Sequence, residues 1–499
     1  MSKKISELEA ARPRRLSNIA QPRFLRAASR VAVVSVGGRP PFTVVIDKGE
    51  CREDEYASKS RADENESTHV TEPIAISYGR GHLTLRMPAK AEVTMIAKGK
   101  LNKIVDPAAA VRRTLAEPID SPPLVELARG RKSACILICD ITRPVPNHLF
   151  LRPIIETLVA SGIALDRIVI LVATGLHRPN VGEELAELVG DPWVMARVRI
   201  ENHDARNDAD HVDLGQTATR GTPIKLDRRF VEADLRIATG LVEPHFMAGW
   251  SGGRKVVAPG VAHHETIRTF HSARFMEDPA AIQCNLIGNP LHEEQLEIVR
   301  RLGDVYGLNT VIDEDRDLVS VNFGEIVASH AAAVEFVSGA IRVPTRRRFK
   351  TVVTSAAGYP LDKTYYQTVK GMVTPLDILE PGGALIIASE CSEGFGSKEF
   401  RAAQRRLIDL GPDRFLATLT AKSLADVDEW QTEMQLKPMR VGRISLYTSG
   451  LSAEERALTG VEMIDDLDEA IARGIARAED PCLAVIPEGP YVVPYYDAG

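Results

Sequence analysis

The stretch Ala134-Cys-Ile-Leu-Ile-Cys139 is followed directly by Asp140-Ile-Thr-Arg-Pro-Val-Pro146, and these two segments decide the fold. The first is a run of six apolar residues, which is typical of a strand buried on both faces of a parallel sheet. Apolar residues at helical spacing follow in residues 151–160, and a second strand-like run, Ile168-Val-Ile-Leu-Val172, comes next. Strands that alternate with helices predict parallel βαβ units and a doubly wound α/β sheet.

The alternation continues along the chain and then restarts. The predicted elements are a hairpin with arms at 74–78 and 83–86, a helix at 183–189, a strand at 235–238 and, after Arg346-Arg347-Arg348, strands at 351–354 and 384–388 around a largely helical stretch at 364–379. The restart indicates a second α/β domain. We expect both domains to have mainly parallel, Rossmann-like sheets, with the active site in the cleft between them.

The N-terminal segment differs in composition from the rest of the chain. Residues 1–30 contain eight Lys or Arg against two Glu, and residues 47–68 are acidic and polar. Such a segment buries little apolar surface, so we predict that residues 1–70 form a partly disordered extension. The N-terminal α/β domain is then expected over residues 71–344 and the C-terminal one over residues 345–499.

Composition excludes several classes of function. The net charge of -6 is unlike that of a nucleic-acid-binding protein, which is usually basic. No apolar run approaches the roughly 18 residues of a membrane span, so we expect no membrane partner. The six cysteines are scattered and form no CxxC pair, which favours a reducing, cytoplasmic location.

Polar loops follow the predicted strands, at the positions where open parallel sheets bind their ligands. The loops are Asp140 to Pro146, Ala173-Thr-Gly-Leu-His-Arg-Pro179, the long segment from Thr239 to Lys255, Gly358-Tyr-Pro-Leu-Asp362 followed by Gln367 and Lys370, and Glu393-Gly-Phe-Gly-Ser397. Taken singly, the first could be an ordinary turn and His177 an ordinary loop histidine. Taken together, the loops predict one site.

The glycine-rich end of the long loop invites comparison with a phosphate loop. It does not match GxxxxGK[ST], because Arg254 separates Gly253 from Lys255 and no Ser or Thr follows. Lys255 precedes the apolar pair Val256-Val257, so its amine could be desolvated. Burial lowers the pKa of a lysine and frees its amine for covalent chemistry.

Histidines cluster in the same region. His245, His264 and His271 fall within 27 residues, with His263 beside them, yet their spacing matches no zinc motif. A borderline metal such as nickel, held by one imidazole and sulfur donors, remains open. The sequence has no cysteine cluster nearby, so a cofactor would have to bring the sulfur.

Four motifs together resemble the nickel-dependent lactate racemase family over about residues 71–499. They are Asp140-x-Thr-Arg-Pro-Val-Pro, Ala173-Thr-Gly-x-His-Arg-Pro, His245-Phe-x-Ala-Gly-x-Ser-Gly-Gly-Arg-Lys255, and Gly358-Tyr-Pro-Leu-Asp with Tyr366-Gln-x-Val-Lys-Gly-Met372. The resemblance implies a nickel-pincer nucleotide (nickel pyridinium-3,5-bisthiocarboxylic acid mononucleotide), made by cofactor-assembly proteins. It implies that Lys255 is the covalent tether and His271 the nickel ligand.

The resemblance also implies roles for the other matching positions. His177 and His245 would be the catalytic acid and base. The others would contact the cofactor (Asp140, Thr142, Ser251, Gly252, Gly253 and Arg254) or the substrate (Arg143, Lys370, Gln367, Tyr366 and Trp430).

The implied reaction is inversion of C2 of a 2-hydroxy acid by reversible hydride transfer, that is, a racemase or epimerase. Two alternatives stay open. One is a nucleotide-dependent dehydrogenase or transferase on the same fold, although no GxGxxG follows a strand. The other is a non-catalytic, cofactor-binding homologue. The sequence leaves open whether the substrate is lactate, a longer aliphatic acid, malate or a sugar acid.

Overall fold

This computed structural model describes residues 73–499 and, before them, the two strands Arg30–Val34 and Phe42–Ile46, which pair antiparallel. Apart from these two strands, the predicted extension over residues 1–70 lies outside the described residues. Among the described residues, no helix combines the length and the apolar content that crossing a bilayer would require.

The first sheet has six strands. In spatial order they are Leu318–Glu325, Tyr306–Ile312, Leu235–Leu241, Ala134–Cys139, Ile168–Ala173 and Arg199–Asn202. All neighbours pair in parallel except Leu318–Glu325, which runs antiparallel at one edge. The predicted mainly parallel α/β sheet is confirmed.

Helices cover both faces of this sheet. Because successive side chains of a strand point to opposite faces, a strand between two helical layers is apolar at every position. Ile136 and Ile138 face one helical layer, and Cys135 and Leu137 face the other. The first layer consists of the helices Pro107–Ala116, Leu124–Ala128, Asn147–Ala160, Gly182–Val189 and Pro192–Arg197. The second contains Arg228–Val231, Arg254–Val257, His264–Phe270, Ala273–Met276 and Pro290–Leu302, while Ile326–Ile341 packs on the two edge strands.

The second sheet also has six strands, all parallel. In spatial order they are Glu462–Ile464, Arg443–Tyr447, Leu379–Ala388, Phe349–Ser355, Cys482–Ile486 and Glu92–Met95. The last of these comes from a part of the chain that precedes the whole first sheet. The division of the chain into domains at residues 71–344 and 345–499 stays a prediction. The strand Glu92–Met95 belongs to the first range in sequence but to the second sheet in space.

The remaining elements complete the second half and its edges. Its helices are Tyr365–Val373, Lys398–Leu410, Pro412–Thr420, Glu429–Val441, Ala453–Leu458 and Leu467–Ala478. Two-stranded pairs are formed by Ile74–Tyr78 with Gly81–Leu85, His211–Gln216 with Pro223–Asp227, Pro244–His245 with Gly249–Trp250, and Arg342–Thr345 with Val493–Tyr496. The helix predicted over 364–379 ends at Val373, because Pro375 disfavours helical backbone at the residue before it.

Candidate active site

One cavity collects side chains from both halves of the molecule. Its volume is about 160 Å³. A single water needs about 10–15 Å³, so the cavity is large enough for a small molecule. The predicted site residues that line it are Asp140, Thr142, Arg143, His177, His245, Ser251, Gly252, Lys255, His271, Tyr366, Gln367, Lys370 and Trp430. Gly253 and Arg254 are the two predicted residues outside the lining.

The topology explains this convergence. Asp140 and Arg143 follow the strand Ala134–Cys139, and His177 follows Ile168–Ala173. Both strands end at the same edge of the sheet, since neighbouring strands there run parallel. From the second half, Gln367 and Lys370 lie three residues apart on the helix Tyr365–Val373, so they share one helical face.

Arg254 supports the loop from behind instead of facing the cavity. Its side chain is buried, and Nη2 donates to the carbonyls of Ala248 (3.0 Å) and Trp250 (3.1 Å). Gly253 has φ of +49°, and a Cβ there would lie 2.8 Å from the His330 side chain. Both residues therefore act on the shape of the loop that presents Lys255.

His177 is held by a buried carboxylate. Its Nδ1 lies 2.5 Å from Asp140 Oδ2, while Asp140 Oδ1 accepts from the Thr142 hydroxyl at 2.5 Å. A carboxylate accepts, so Nδ1 carries the proton, and Nε2 of the neutral ring has a free lone pair. The ring is about half exposed, and its partial desolvation would lower the pKa of His177, but the charge and hydrogen bond of Asp140 outweigh this and raise that pKa. The ring is therefore oriented as a proton acceptor.

His245 has the opposite tautomer. Its Nδ1 accepts from the backbone amides of Ala248 (3.1 Å) and Met247 (3.4 Å), so the proton of the neutral ring is on Nε2. Burial, reinforced by the positive charges of Lys255 and Arg143, holds the pKa of His245 well below its usual value. The two imidazoles are thus a matched acceptor and donor.

Two cations in the lining are suited to an anionic ligand. Arg143 pairs with Glu243 through Nη1 and Oε1, which leaves other donors of its guanidinium unused by that contact. Burial, together with the charge of Arg143, holds the pKa of Lys370 well below its usual value. A bound carboxylate would favour the charged form of Lys370, since an opposite charge nearby raises the pKa of an amine.

His271 and Lys255 have the chemistry expected of a metal ligand and a covalent tether. His271 Nδ1 donates to the Ile267 carbonyl at 2.9 Å, which leaves Nε2 free to coordinate a metal. Burial, with Arg143 and Arg254 nearby, lowers the pKa of Lys255 to about 7. The residues present therefore fit a group that takes one imidazole ligand and reacts with one amine.

Tyr366, Gln367 and Trp430 form the wall beside His271. The Trp430 and His271 ring centroids are 4.8 Å apart, and Trp430 Nε1 donates to the Tyr366 hydroxyl at 3.2 Å. Gln367 Oε1 is buried and has no hydrogen-bond partner within residues 73–499, so it can accept from a ligand. The Ser251 hydroxyl, in contrast, already donates to the Leu241 carbonyl at 2.8 Å.

The sequence of this chain is similar to that of known proteins. Residues 78–283 match the lactate racemase N-terminal domain, and residues 345–493 match the lactate racemase C-terminal domain. A lactate racemase from Lactiplantibacillus plantarum is 33% identical over 383 residues, which are 76% of this chain and 89% of that protein. The chain belongs to the lactate racemase family. A second lactate racemase, from Thermoanaerobacterium thermosaccharolyticum, is 30% identical over 434 residues, which are 84% of this chain and 98% of that protein.

A solved structure supports the same assignment. The lactate racemase apoprotein from Thermoanaerobacterium thermosaccharolyticum superposes with a TM-score of 0.77 at 29% identity, covering 85% of this chain and 100% of that chain. The predicted family, the α/β fold and the classification as an isomerase are therefore confirmed.

Two acidic residues of this lactate racemase family member were missed by sequence reasoning. Glu243 pairs with Arg143, and Asp428 lines the cavity with its Oδ2 accepting from the Ser397 hydroxyl at 2.6 Å. Glu243 lies in the segment from Thr239 to Lys255, which the sequence analysis placed at the site, so its acidic side chain there was the feature that could have identified it. Asp428 follows no strand and carries no motif. The loop around Asp362 was expected at the site, but Asp362 instead accepts from the Gly79 amide at 2.7 Å.

The lowered pKa of Lys255 leads to a prediction for this family member that needs no cofactor. An unprotonated amine is the nucleophile, and an ordinary lysine has a pKa of about 10.4. Acylation of Lys255 by a small reagent should therefore rise between pH 6 and 8 around a midpoint near 7. Peptide mass spectrometry of the Lys255 peptide over this pH range checks this, and acylation that rises only at the pH expected of an ordinary lysine would contradict it.

Proposed function

We propose that this chain racemises a 2-hydroxy acid, with lactate as the first candidate because the two lactate racemases are its relatives. The observation that carries the proposal is the content of one cavity. It combines an acceptor imidazole, His177, and a donor imidazole, His245, with two cations suited to a carboxylate, Arg143 and Lys370. A 2-hydroxy acid needs both kinds of group.

The carboxylate is the fixed end of the substrate in this proposal. Arg143 and Lys370 would hold it, so that the hydroxyl and Cα keep one position relative to the two rings. Phe246 and Met247 also line the cavity, and they would form the apolar side that receives a short carbon chain. Trp250, in contrast, packs in the core with Val242 and Val311.

The histidines would move the hydroxyl proton. His177 Nε2 accepts the proton of one enantiomer, and Asp140 stabilises the imidazolium that forms. His245 Nε2 donates a proton to the substrate oxygen when the other enantiomer is formed. So that this ring ends as neutral imidazole and not as imidazolate, Nδ1 must carry a proton at that step, and it must carry one also when Nε2 accepts in the reverse direction. Both directions therefore require the Met247 and Ala248 amides to release Nδ1. We therefore expect the 245–248 turn to shift during the reaction cycle.

The proposed cofactor is the nickel-pincer nucleotide. When bound, it would supply the acceptor and donor of the hydride at Cα, which avoids removal of a poorly acidic α-proton. Lys255 would hold it covalently, and His271 Nε2 would coordinate the nickel. Because Cys139 is the single cysteine that lines the cavity in the described part of the chain, the sulfur donors would come with the cofactor. Cofactor-assembly proteins are accordingly proposed as partners.

The decisive experiment is reconstitution. The full chain is produced with and without cofactor-assembly proteins, then incubated with single enantiomers of lactate, a longer aliphatic hydroxy acid, malate and a sugar acid. Chiral chromatography should detect inversion only with the assembled protein, together with bound nickel. Nickel-loaded protein that inverts none of these acids would overturn the proposal. Turnover that depends on added dissociable NAD would favour the dehydrogenase alternative.

Substitution of Arg143 should mainly weaken substrate binding. Hydrogen bonds to charged groups contribute about 1.5–3 kcal/mol, so Arg143→Met should raise KM about ten- to hundred-fold. Because Met leaves Glu243 without its partner, the double variant Arg143→Met/Glu243→Gln separates loss of the clamp from repulsion by a bare carboxylate. Exposed Arg112→Met is the matched control. An unchanged KM in both Arg143 variants would refute the clamp.

A further inference from the structure

A histidine cluster lies outside the candidate active site. It consists of Asp208, His211, His263 and His264. None of these four residues lines the active-site cavity. One ligand atom from each of Asp208, His263 and His264 lies within 4.8 Å of the other two. His263 is almost fully buried, and its Nε2 is 2.8 Å from Asp208 Oδ1. Two imidazoles and a carboxylate are thus close enough to share an ion, provided that His263 gives up the contact in which its Nδ1 accepts from the Glu265 amide at 3.3 Å, so that Nε2 can coordinate instead of donating to Asp208.

His211 adds an independent observation. Its Nδ1 donates to the Asn207 carbonyl at 2.8 Å, so Nε2 of the neutral ring has a lone pair. That Nε2 is buried and has no hydrogen-bond partner within the described part of the chain. The ring is only 7% exposed, and its centroid is 4.9 Å from that of His263. A buried, unsatisfied acceptor is costly, and a metal ion would satisfy it.

The charged residues next to the cluster are paired with one another. Lys225 is paired with Glu265 at 2.5 Å, and Asp227 is paired with both His203 and Arg229. A dication would therefore meet the carboxylate of Asp208 and the imidazoles of His263 and His264.

We propose that Asp208, His263 and His264 bind a divalent transition-metal ion, with the His211 lone pair available as a fourth ligand. Imidazole nitrogen and carboxylate oxygen form a typical zinc donor set, with bond lengths of about 2.0–2.2 Å. Ligand atoms up to 4.8 Å apart must approach one another to reach this geometry. Asp208 can do so readily, because its side chain is 88% exposed and anchored only through His263.

This site would connect two distant segments of the chain. Asp208 and His211 lie more than fifty residues before His263, which explains why the sequence shows no zinc-like spacing. The helix His264–Phe270 begins at the site, and His271 follows its last residue. An ion at the start of this helix would fix the element that positions the proposed nickel ligand, without contacting the active-site cavity.

The test uses the full chain and zinc alone. After treatment with a chelator, wild type and Asp208→Ala/His264→Ala are dialysed against the same excess of Zn²⁺, and bound metal is measured. Both substituted residues are at least partly exposed, so the variant should fold, which circular dichroism checks. We expect the variant to bind one equivalent less than wild type and to lose the zinc-dependent rise in Tm.

Controls separate this site from the active site. His271→Ala should lose any zinc held in the cavity but keep the ion of the histidine cluster, and exposed His148→Ala should behave as wild type. Co²⁺ used in place of Zn²⁺ should give d–d absorption in His271→Ala, and the added substitutions Asp208→Ala/His264→Ala should remove it. Equal zinc stoichiometry in Asp208→Ala/His264→Ala and wild type, or a Co²⁺ spectrum that the added substitutions do not change, would overturn the proposal.

Discussion

His177→Ala is expected to lower kcat for racemisation by about 10²- to 10⁴-fold, the usual contribution of a positioned general acid or base. The loss follows from the hydrogen bond between Nδ1 and Asp140 Oδ2, which leaves Nε2 as the free proton acceptor in the cavity. Alanine keeps the backbone of the loop and removes only the ring. The measurement is the rate of inversion of each lactate enantiomer by cofactor-loaded protein.

The companion variant Asp140→Asn tests how His177 is tuned. Asp140 raises the pKa of His177, so its neutralisation should lower that pKa. Since His177 must be unprotonated to accept a proton, the acidic limb of the kcat/KM profile should move to lower pH. His148→Ala, an exposed histidine elsewhere, controls for generic effects. Full activity in His177→Ala, or an unmoved acidic limb in Asp140→Asn, would contradict the assignment.

Lys255→Ala is expected to abolish activity completely, because no other lysine among the residues of the cavity that the structure describes lies on the same loop to hold the cofactor. The amine has a pKa of about 7 and is therefore largely available as a nucleophile under ordinary conditions. Intact-protein mass spectrometry of the denatured chain should show the added mass of the cofactor in wild type. It should show only the bare polypeptide in Lys255→Ala.

Lys370→Ala is the matched comparison, since Lys370 is the other lysine of the cavity. It should keep the covalent mass and bound nickel while losing affinity for the substrate carboxylate. This pair of variants separates a tether from a clamp. A retained cofactor mass in Lys255→Ala, or a lost one in Lys370→Ala, would show that the two roles are wrongly assigned.

Much of the fold followed from local patterns. The strands Ala134–Cys139 and Ile168–Ala173 are continuous apolar runs, and the turn at Gly79 is the kind that a hairpin requires. The edge strand Leu318–Glu325 was not predicted, because its burial is broken by partly exposed positions. The ends of helices such as Tyr365–Val373 depend on a proline whose effect the periodicity alone does not show.

The candidate site was predictable where residues follow strands and match a motif, as His177, His245 and Lys255 do. Arg254 matches the motif equally well, but its guanidinium turns to backbone carbonyls, and only the folded loop reveals this. Asp428, and the proximity of Asp208 and His211 to His263 and His264, could not be found, since these residues are far in sequence from their neighbours in space. The roles of the cavity residues stay predictions that the variants above test.

The edge strand Glu92–Met95 has a consequence for how the chain is made. It pairs with Cys482–Ile486, and the contact between Glu92 and the Cys482 thiol spans 390 residues. At about 5–20 residues per second, a ribosome needs roughly 20–80 s to produce its partner. A fragment beginning at residue 345 would expose the backbone groups of Cys482–Ile486 as an open edge, which favours aggregation. The C-terminal half therefore depends on a segment that is synthesised before the whole first sheet.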